Sequence, residues 1–191
     1  MKIIFASQNQ KKTEEIRSLL PHGITLVNLY DLGQQEDIPE NEPTIEGNSA
    51  FKAKWVFQKY GLPCFADDTG LEVSALNGEP GVHSARYAGP ARSDQANMDL
   101  LQFKLKAHTD RSAQFKTVIT YHDEKQVLQF TGIVSGRIAE QARGEHGFGY
   151  DPIFEPEGLD RTFAQMELSE KNQYSHRARA LAQLLTFLEQ L

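Results

Sequence analysis

At 191 residues the chain is long enough to bury a core without disulfide or metal staples, and short enough to be one domain or two small lobes. Its net charge of −6 argues against sequence-independent nucleic-acid binding, which needs a basic surface, although a few local Lys and Arg can still hold a small anion. The single cysteine, Cys64, rules out an internal disulfide and a zinc thiolate cluster, and no stretch approaches the ~18 apolar residues of a membrane span.

The first residues, Met1-Lys2-Ile3-Ile4-Phe5-Ala6, are too short an apolar run for a secretion signal, so a cytoplasmic protein is expected. Ile3 to Ala6 reads as a short buried strand. Ser7-Gln8-Asn9 follows, and Ile16, Leu19 and Leu20 then repeat with helical spacing, with Asn9 as the N-cap. Strand, polar loop and helix N-terminus form a geometry that binds anions, because unpaired backbone N–H groups and the positive dipole end face the loop. Gln10, Lys11 and Lys12 lie in that first turn, and a capped surface helix with solvated lysines accounts for them equally well. No Walker A pattern occurs.

Ile24 to Val27 reads as a second strand, and residues 31 to 45 as an acidic, Pro-containing loop. Thr44 to Tyr60 has helical periodicity, with Ala50, Ala53, Phe57 and Tyr60 on one face, Trp55 and Val56 widening it, and Glu46 at the start, where a carboxylate suits the dipole. Gly61-Leu62-Pro63 stops this helix. An apolar run from Leu62 to Ala66 then meets Asp67-Asp68 and a Thr69-Gly70 turn signal, so a buried strand is expected to end at the carboxylate pair. Two explanations stand for the pair: an Asx turn capping the strand, or a carboxylate site for a hard cation such as Mg²⁺.

Leu71 to Leu76 alternates, and Asn77-Gly78 and Pro80-Gly81 mark turns. Ser93-Asp94 opens a helix with Met98, Leu101 and Leu105 on one face. Phe115 to Tyr121 and Val127 to Ile138 read as a hairpin around His122 to Lys125. Residues 144 to 154 hold Gly144, Gly147 and Gly149 beside Phe148, Tyr150 and Asp151. The glycines allow positive φ and close approach to a ligand, and the aromatics suit base stacking or a tight turn packed on the core. Ser175 to Leu191 is expected to be a helix with an apolar stripe at Ala178, Leu181, Leu184, Leu185 and Leu188. His176, Arg177 and Arg179 stand at its start, where cations oppose the dipole.

These parts assemble into a kit for chemistry at phosphate. It has an anion loop (Ser7, Asn9, Lys12), a carboxylate pair (Asp67, Asp68) with Glu46 as a further acid, a glycine-aromatic loop, and late cations (Lys171, His176, Arg177). A divalent metal neutralises phosphate oxygens, cations stabilise polyphosphate charge, and a carboxylate can take the proton of an attacking water. No His-Glu-x-x-His, Gly-x-Ser-x-Gly or Gly-x-Gly-x-x-Gly motif occurs.

Five segments carry a resemblance. They are Ser7-x-Asn9-x-x-Lys12, Ala66 to Leu71, Pro80-Gly81 with Ser84 to Tyr87, Gly147 to Phe154, and Lys171 followed by Ser175-His176-Arg177. Together, from residue 3 to residue 188, they resemble the noncanonical purine nucleotide pyrophosphatases, the inosine triphosphatase or RdgB-like family. The resemblance implies Mg²⁺-dependent hydrolysis of ITP, dITP and XTP to the monophosphate and pyrophosphate. It implies a single α/β domain over 1–191, elongated and two-lobed, with a central mixed sheet flanked by helices, an active site in the cleft between the lobes, and a homodimer. By matching position, Ser7, Gln8, Asn9, Gln10, Lys11 and Lys12 would hold the phosphates, and Thr69 would touch them. Asp68 would be catalytic base and metal ligand, with Asp67 orienting it or binding a second ion. Phe148, Gly149, Tyr150 and Asp151 would line the nucleoside, and Lys171, His176 and Arg177 would recognise base and nucleotide. In many members a metal-binding Glu directly precedes the Asn of the second helix. Here Gly47 precedes Asn48 and Glu46 stands one residue earlier, so either Glu46 reaches the ion or Asp68, water and substrate phosphates suffice. A Maf-like pyrophosphatase fits less well, since its opening motif has Ser and Arg where this chain has Asn9 and Lys12. A non-catalytic nucleotide sensor is the alternative from another class.

Overall fold

The computed structural model describes residues 1–34 and 36–190. Its strands are β1 (Lys2–Phe5), β2 (Thr25–Asn28), β3 (Cys64–Val73), β4 (Pro80–Gly81), β5 (Ser112–His122), β6 (Val127–Ile138) and β7 (Phe154–Pro156). Its α-helices are α1 (Gln10–Arg17), α2 (Ile45–Tyr60), α3 (Asp94–Leu105), α4 (Leu168–Tyr174) and α5 (His176–Leu188). The strands form one mixed sheet in the order β2-β1-β3-β5-β6-β7, with β4 also on β3. This is the expected α/β class. No helix among the described residues is long and apolar enough to cross a membrane.

Two compact units divide the chain: residues 1–68, 117–132 and 177–191, and residues 69–116 and 133–176. In the first unit β1 lies between β2 and β3 and is parallel to both, with Ile4 opposite Val27 and Cys64. A parallel strand is covered on both faces, so β1 and the start of β3 are apolar throughout rather than alternating. Ile3, Phe5 and Phe65 pack with Ile16 of α1 and Leu181 and Leu184 of α5. Ile4, Cys64 and Ala66, from the opposite face, pack with Ala53 and Val56 of α2. Burying each of the larger side chains contributes about 1.5–3 kcal/mol.

In the second unit the rest of β3 pairs antiparallel with β4, Leu71 opposite Gly81, and β6 pairs antiparallel with β7, Ile138 opposite Phe154. Leu71, Val73, Leu101, Phe115, Phe154 and Phe163 belong to its core. The face expected for α3 is correct: Met98, Leu101 and Leu105 are buried, and Ser93 caps the helix by accepting from Ala96 N–H.

One expectation is overturned and three are refined. The strand does not end at Asp67-Asp68: β3 runs on through Thr69 and Gly70, because its two halves find separate partners, β1 before the carboxylates and β4 after them. Pro80-Gly81 forms the short strand β4 as well as opening a turn, in which the Pro80 carbonyl accepts the His83 N–H at 3.0 Å; the chain reversal before it lies at Ser74 to Glu79, with Asn77 left-handed at φ 54°. The expected face of α2 is right for Ala53 and Val56, which are buried, and for Trp55, Phe57 and Tyr60, which are partly buried against the core, but the buried face also takes in Ile45, Asn48, Ser49 and Lys52, which the apolar pattern did not mark. The expected C-terminal helix is present but runs from His176 to Leu188, Leu191 lying outside the described residues, and a separate helix that was not expected, α4, precedes it and carries Lys171.

Candidate active site

Strand alternation decides what the two aspartates can do. Successive side chains of β3 point to opposite faces of the sheet. Phe65 faces α1 and α5, so Asp67 does too; Ala66 faces α2, so Asp68 does too. Adjacent carboxylates therefore enter different environments.

On the first face, α1 begins where Asn9 Oδ1 accepts the Lys12 N–H at 3.1 Å and Ser7 Oγ accepts the Asn9 N–H at 3.1 Å. Gln8 Nε2 donates to the Gln34 carbonyl at 2.7 Å, which ties the loop down, while Gln10 and Lys11 are exposed. Lys12 is not simply solvated: its Nζ lies 3.0 Å from each oxygen of Asp67. Arg177, 2% exposed at the start of α5, donates from Nε to Asp67 Oδ2 at 3.2 Å and also pairs with the Glu15 carboxylate. That pairing is what the dipole-opposing arginine does. Burial alone would raise the Asp67 carboxyl, but the Lys12, Arg177 and Lys52 cations more than offset it and hold it far below the usual carboxylate range.

On the second face, Asp68 is 8% exposed. Asn48 Nδ2 donates to its Oδ2 at 3.3 Å, and Lys52 Nζ is 3.5 Å from its Oδ1. The same ammonium lies closer to Glu40, at 2.7 Å. Burial raises the Asp68 carboxyl, and the nearby Glu40 and Asp67 charges add to that against the opposing pull of Lys52 and Lys12. Burial would lower the Lys52 ammonium, but Asp68, Glu40 and Asp67 together raise it. Asp68 is thus the more basic member of the pair, and Glu40 and Asp68 are two carboxylates sharing one cation.

Glu46 is half-buried in the first turn of α2, and its carbonyl accepts from Gln129 Nε2 at 3.0 Å. At Gly47 an added Cβ would lie 2.9 Å from Glu42 Cβ and 3.0 Å from Thr44 Oγ1, so the preceding loop occupies that space. Among the described residues no three His, Cys, Asp or Glu side chains form a ready-made metal cage.

In the second unit the glycine-aromatic loop closes on Asp151. Its Oδ2 accepts the Phe148 N–H at 3.0 Å and receives Lys171 Nζ at 2.7 Å, both charged groups being buried. Lys171 Nζ also stands 5.2 Å from the Phe148 ring centroid, a cation–π distance. Phe148 and Gly149 are half-buried, and Gly149 N–H donates to Asp94 at 2.8 Å. Tyr150 differs from its neighbour: it is 4% exposed in the core, and its hydroxyl donates to the Ser84 carbonyl at 2.8 Å, so it shapes the loop rather than presenting its ring to a ligand. His176 is buried against Phe115 with ring centroids 4.6 Å apart, and Thr69 is half-buried on β3.

Gly147 carries a direct prediction. Its φ is +74°, and an added Cβ would collide with the Asp151 carboxylate. Gly147→Ala should destabilise the protein by about 1–3 kcal/mol, read from urea unfolding. A loss below the error of the fit would contradict the conformational requirement.

Sequence reasoning thus identified Lys12, Asp67 and Arg177, which the structure joins, and Phe148, Asp151 and Lys171, which it also joins. It missed Glu15, Glu40, Asn48 and Lys52. Phasing α2 from Ile45 instead of Ala50 would have put Asn48 and Lys52 on the buried face beside Asp68; nothing in the acidic loop singles out Glu40.

The sequence model of the Ham1 family matches residues 3–187. Among curated proteins, the chain is 54% identical over 188 residues to a dITP/XTP pyrophosphatase of Flavobacterium johnsoniae, with 98% of each chain covered. It is 50% identical to a dITP/XTP pyrophosphatase of Porphyromonas gingivalis, covering 98% of this chain and 97% of that one. Among solved structures it is similar to the Ham1 protein of Staphylococcus aureus, with a TM-score of 0.90 at 43% identity over 99% of this chain and 98% of that one. A HAM1 protein from Coxiella burnetii gives a TM-score of 0.91 at 38% identity, with 100% of both chains covered.

Proposed function

The chain belongs to the Ham1 family, and on that premise we propose that it is a dITP/XTP pyrophosphatase in which Asp68 is the general base. It hydrolyses purine nucleoside triphosphates with a deaminated base to the monophosphate and pyrophosphate, and so clears them from the nucleotide pool. The observation that carries the assignment of roles is the division of the aspartate pair. Asp67 is held ionised by cations, while Asp68 is more basic and faces a second carboxylate.

Asp68 accepts the proton of the attacking water. Lys12, fixed by Asp67, and the N-terminus of α1 with Ser7, Gln8, Asn9, Gln10 and Lys11 receive the polyphosphate, with Thr69 beside it. Asp67 acts by positioning Lys12 and Arg177 rather than by binding an ion, since both its oxygens already contact cations. Phe148 stacks on the base, Asp151 and Tyr150 set the shape of its loop, and Lys171 and His176 supply donors to it. A 6-oxo purine presents an acceptor where adenine presents an amino donor, so fixed donors accept hypoxanthine and xanthine and leave adenine unpaired.

The residues fit Mg²⁺. Glu40 and Asp68 offer only oxygen donors, and two carboxylates suit an ion that keeps several waters and takes the rest of its ligands from substrate phosphates. Bound there, Mg²⁺ would neutralise phosphate charge. Glu40 takes the place that Glu46 would otherwise have to fill. The cytoplasmic location and the homodimer implied by the resemblance belong to the same proposal, and light scattering of the purified chain tests the dimer.

The test is a panel of ITP, XTP, dITP, ATP, GTP and TTP with Mg²⁺ and product identification. The expected result is pyrophosphate release with kcat/KM about 10⁴-fold higher for ITP, XTP and dITP than for ATP. Tight ITP binding without turnover would favour a nucleotide sensor instead.

A further inference from the structure

One side chain connects the two carboxylates. Asn48, 1% exposed in the first turns of α2, uses its amide in two directions. Its Oδ1 accepts the Glu42 N–H at 3.0 Å, and its Nδ2 donates to Asp68 Oδ2 at 3.3 Å. Glu42 is two residues beyond Glu40, which shares Lys52 with Asp68. A single buried amide therefore ties the acidic loop that bears Glu40 to the strand that bears Asp68.

The two contacts suit this residue type. An amide has a donor and an acceptor fixed in one plane, and at this length it can serve the Glu42 N–H and the Asp68 carboxylate at once. An Asp would turn an oxygen toward the Asp68 carboxylate, and an Ala would release both ends. Gly47 serves the same contact. The Glu42 side chain lies over it, with Cβ only 2.9 Å from where a Cβ of residue 47 would be, so the missing side chain lets the loop rest on α2 within reach of Asn48.

We infer that Asn48, with Gly47 beneath the loop, is a positioning device for the hydrolysis: it holds Glu40 and Asp68 in register so that both carboxylates can engage one divalent cation. This rests on the assignment of Glu40 and Asp68 as metal ligands given above. Residues that orient metal ligands typically change metal affinity or activity by about 10–100-fold when removed.

The test uses the full chain freed of metal and titrated with Mn²⁺ alone, followed by electron paramagnetic resonance, alongside hydrogen exchange at the Glu42 amide. Asn48→Ala should weaken Mn²⁺ binding by at least about 10-fold and remove protection of the Glu42 N–H. Ser49→Ala is the structural control. Ser49 is equally buried on the same turn and bonds to the Ala66 carbonyl and Thr120, not to Asp68, so its loss should lower the melting temperature and leave Mn²⁺ binding unchanged. Mn²⁺ binding by N48A within twofold of the native chain, or an equal loss in S49A, overturns the inference. If N48A does not fold, Gly47→Ala carries the test, since it pushes the loop away and keeps Asn48. The same loss of Glu42 protection with weaker Mn²⁺ binding supports the inference, and unchanged values overturn it. Glu40→Gln separates the premise from the inference. Unchanged Mn²⁺ binding in E40Q overturns the ligand assignment and the inference with it, whereas weakened binding in E40Q with native binding in N48A overturns the inference alone.

Discussion

Asp68→Asn is expected to lower kcat for dITP by about 10²–10⁴-fold while the protein stays folded and at least as stable. The change is nearly isosteric. The amide oxygen it introduces can still accept from Asn48 Nδ2, which spans 3.3 Å to Asp68 in the native chain. Lys52 keeps its shorter contact to Glu40 at 2.7 Å, so no buried ammonium is left alone. A carboxylate crowded by Glu40 and Asp67 is removed, and that crowding is part of why its pKa is raised. The loss in rate therefore cannot be attributed to unfolding. Pyrophosphate release measures the first effect and a thermal melt the second. Activity above a tenth of the native value would remove Asp68 as base, and a large fall in melting temperature would mean that its charge is structural.

The sequence made the fold class legible because its short continuous apolar runs are also among its most buried segments. Ile3 to Phe5 and Cys64 to Ala66 are apolar on both faces, and their shortness between polar or turn-forming residues marks them as interior strands. The N-caps at Asn9 and Ser93 and the left-handed Gly61 after α2 were readable from residue type alone. The site was legible in part. Asp67 and Asp68 stood out as adjacent carboxylates, but their adjacency hid the decisive fact that alternation sends them to opposite faces. The Thr69-Gly70 signal concealed that alternation by suggesting a turn; only the long-range pairing with β1 and β4 shows that the strand continues. Asn48 and Lys52 were hidden for a related reason. A search for an apolar helix face passes over a face whose polar residues are buried because partners outside the helix, on the preceding loop and on β3, satisfy them. Glu40 sits among other acids in an irregular loop, where no period marks one residue above its neighbours.

Asp67→Asn should have the opposite character: a loss of stability of about 3–5 kcal/mol at neutral pH, with activity falling as a consequence. Asp67 is 1% exposed, so solvent screens it little. It holds Lys12 at 3.0 Å and Arg177 Nε at 3.2 Å, and Arg177 is itself buried at the start of α5. An amide in its place accepts hydrogen bonds but does not neutralise two cations, and the Glu15 carboxylate is left to balance Arg177 without it. The pH dependence separates this from a packing effect. The folded carboxyl titrates well below its unfolded value of about 3.9. Its contribution is therefore fully present above that unfolded value and is lost as pH falls through the folded one. The difference in unfolding free energy between native and D67N chains should stay constant from about pH 8 to pH 5 and narrow below about pH 4. Other depressed carboxyls such as Asp123 titrate in both chains and cancel in the difference. Urea unfolding of the two proteins across this range is the measurement. A gap under about 1 kcal/mol at pH 7 would reduce the Asp67 cluster to the worth of a surface ion pair, and a gap that widens on acidification would reverse the sign of the linkage. Because Lys12 is aimed by this same carboxylate, residual D67N activity should show a raised KM for the triphosphate with a smaller change in kcat, which places Asp67 in binding the phosphates and leaves the proton transfer to Asp68.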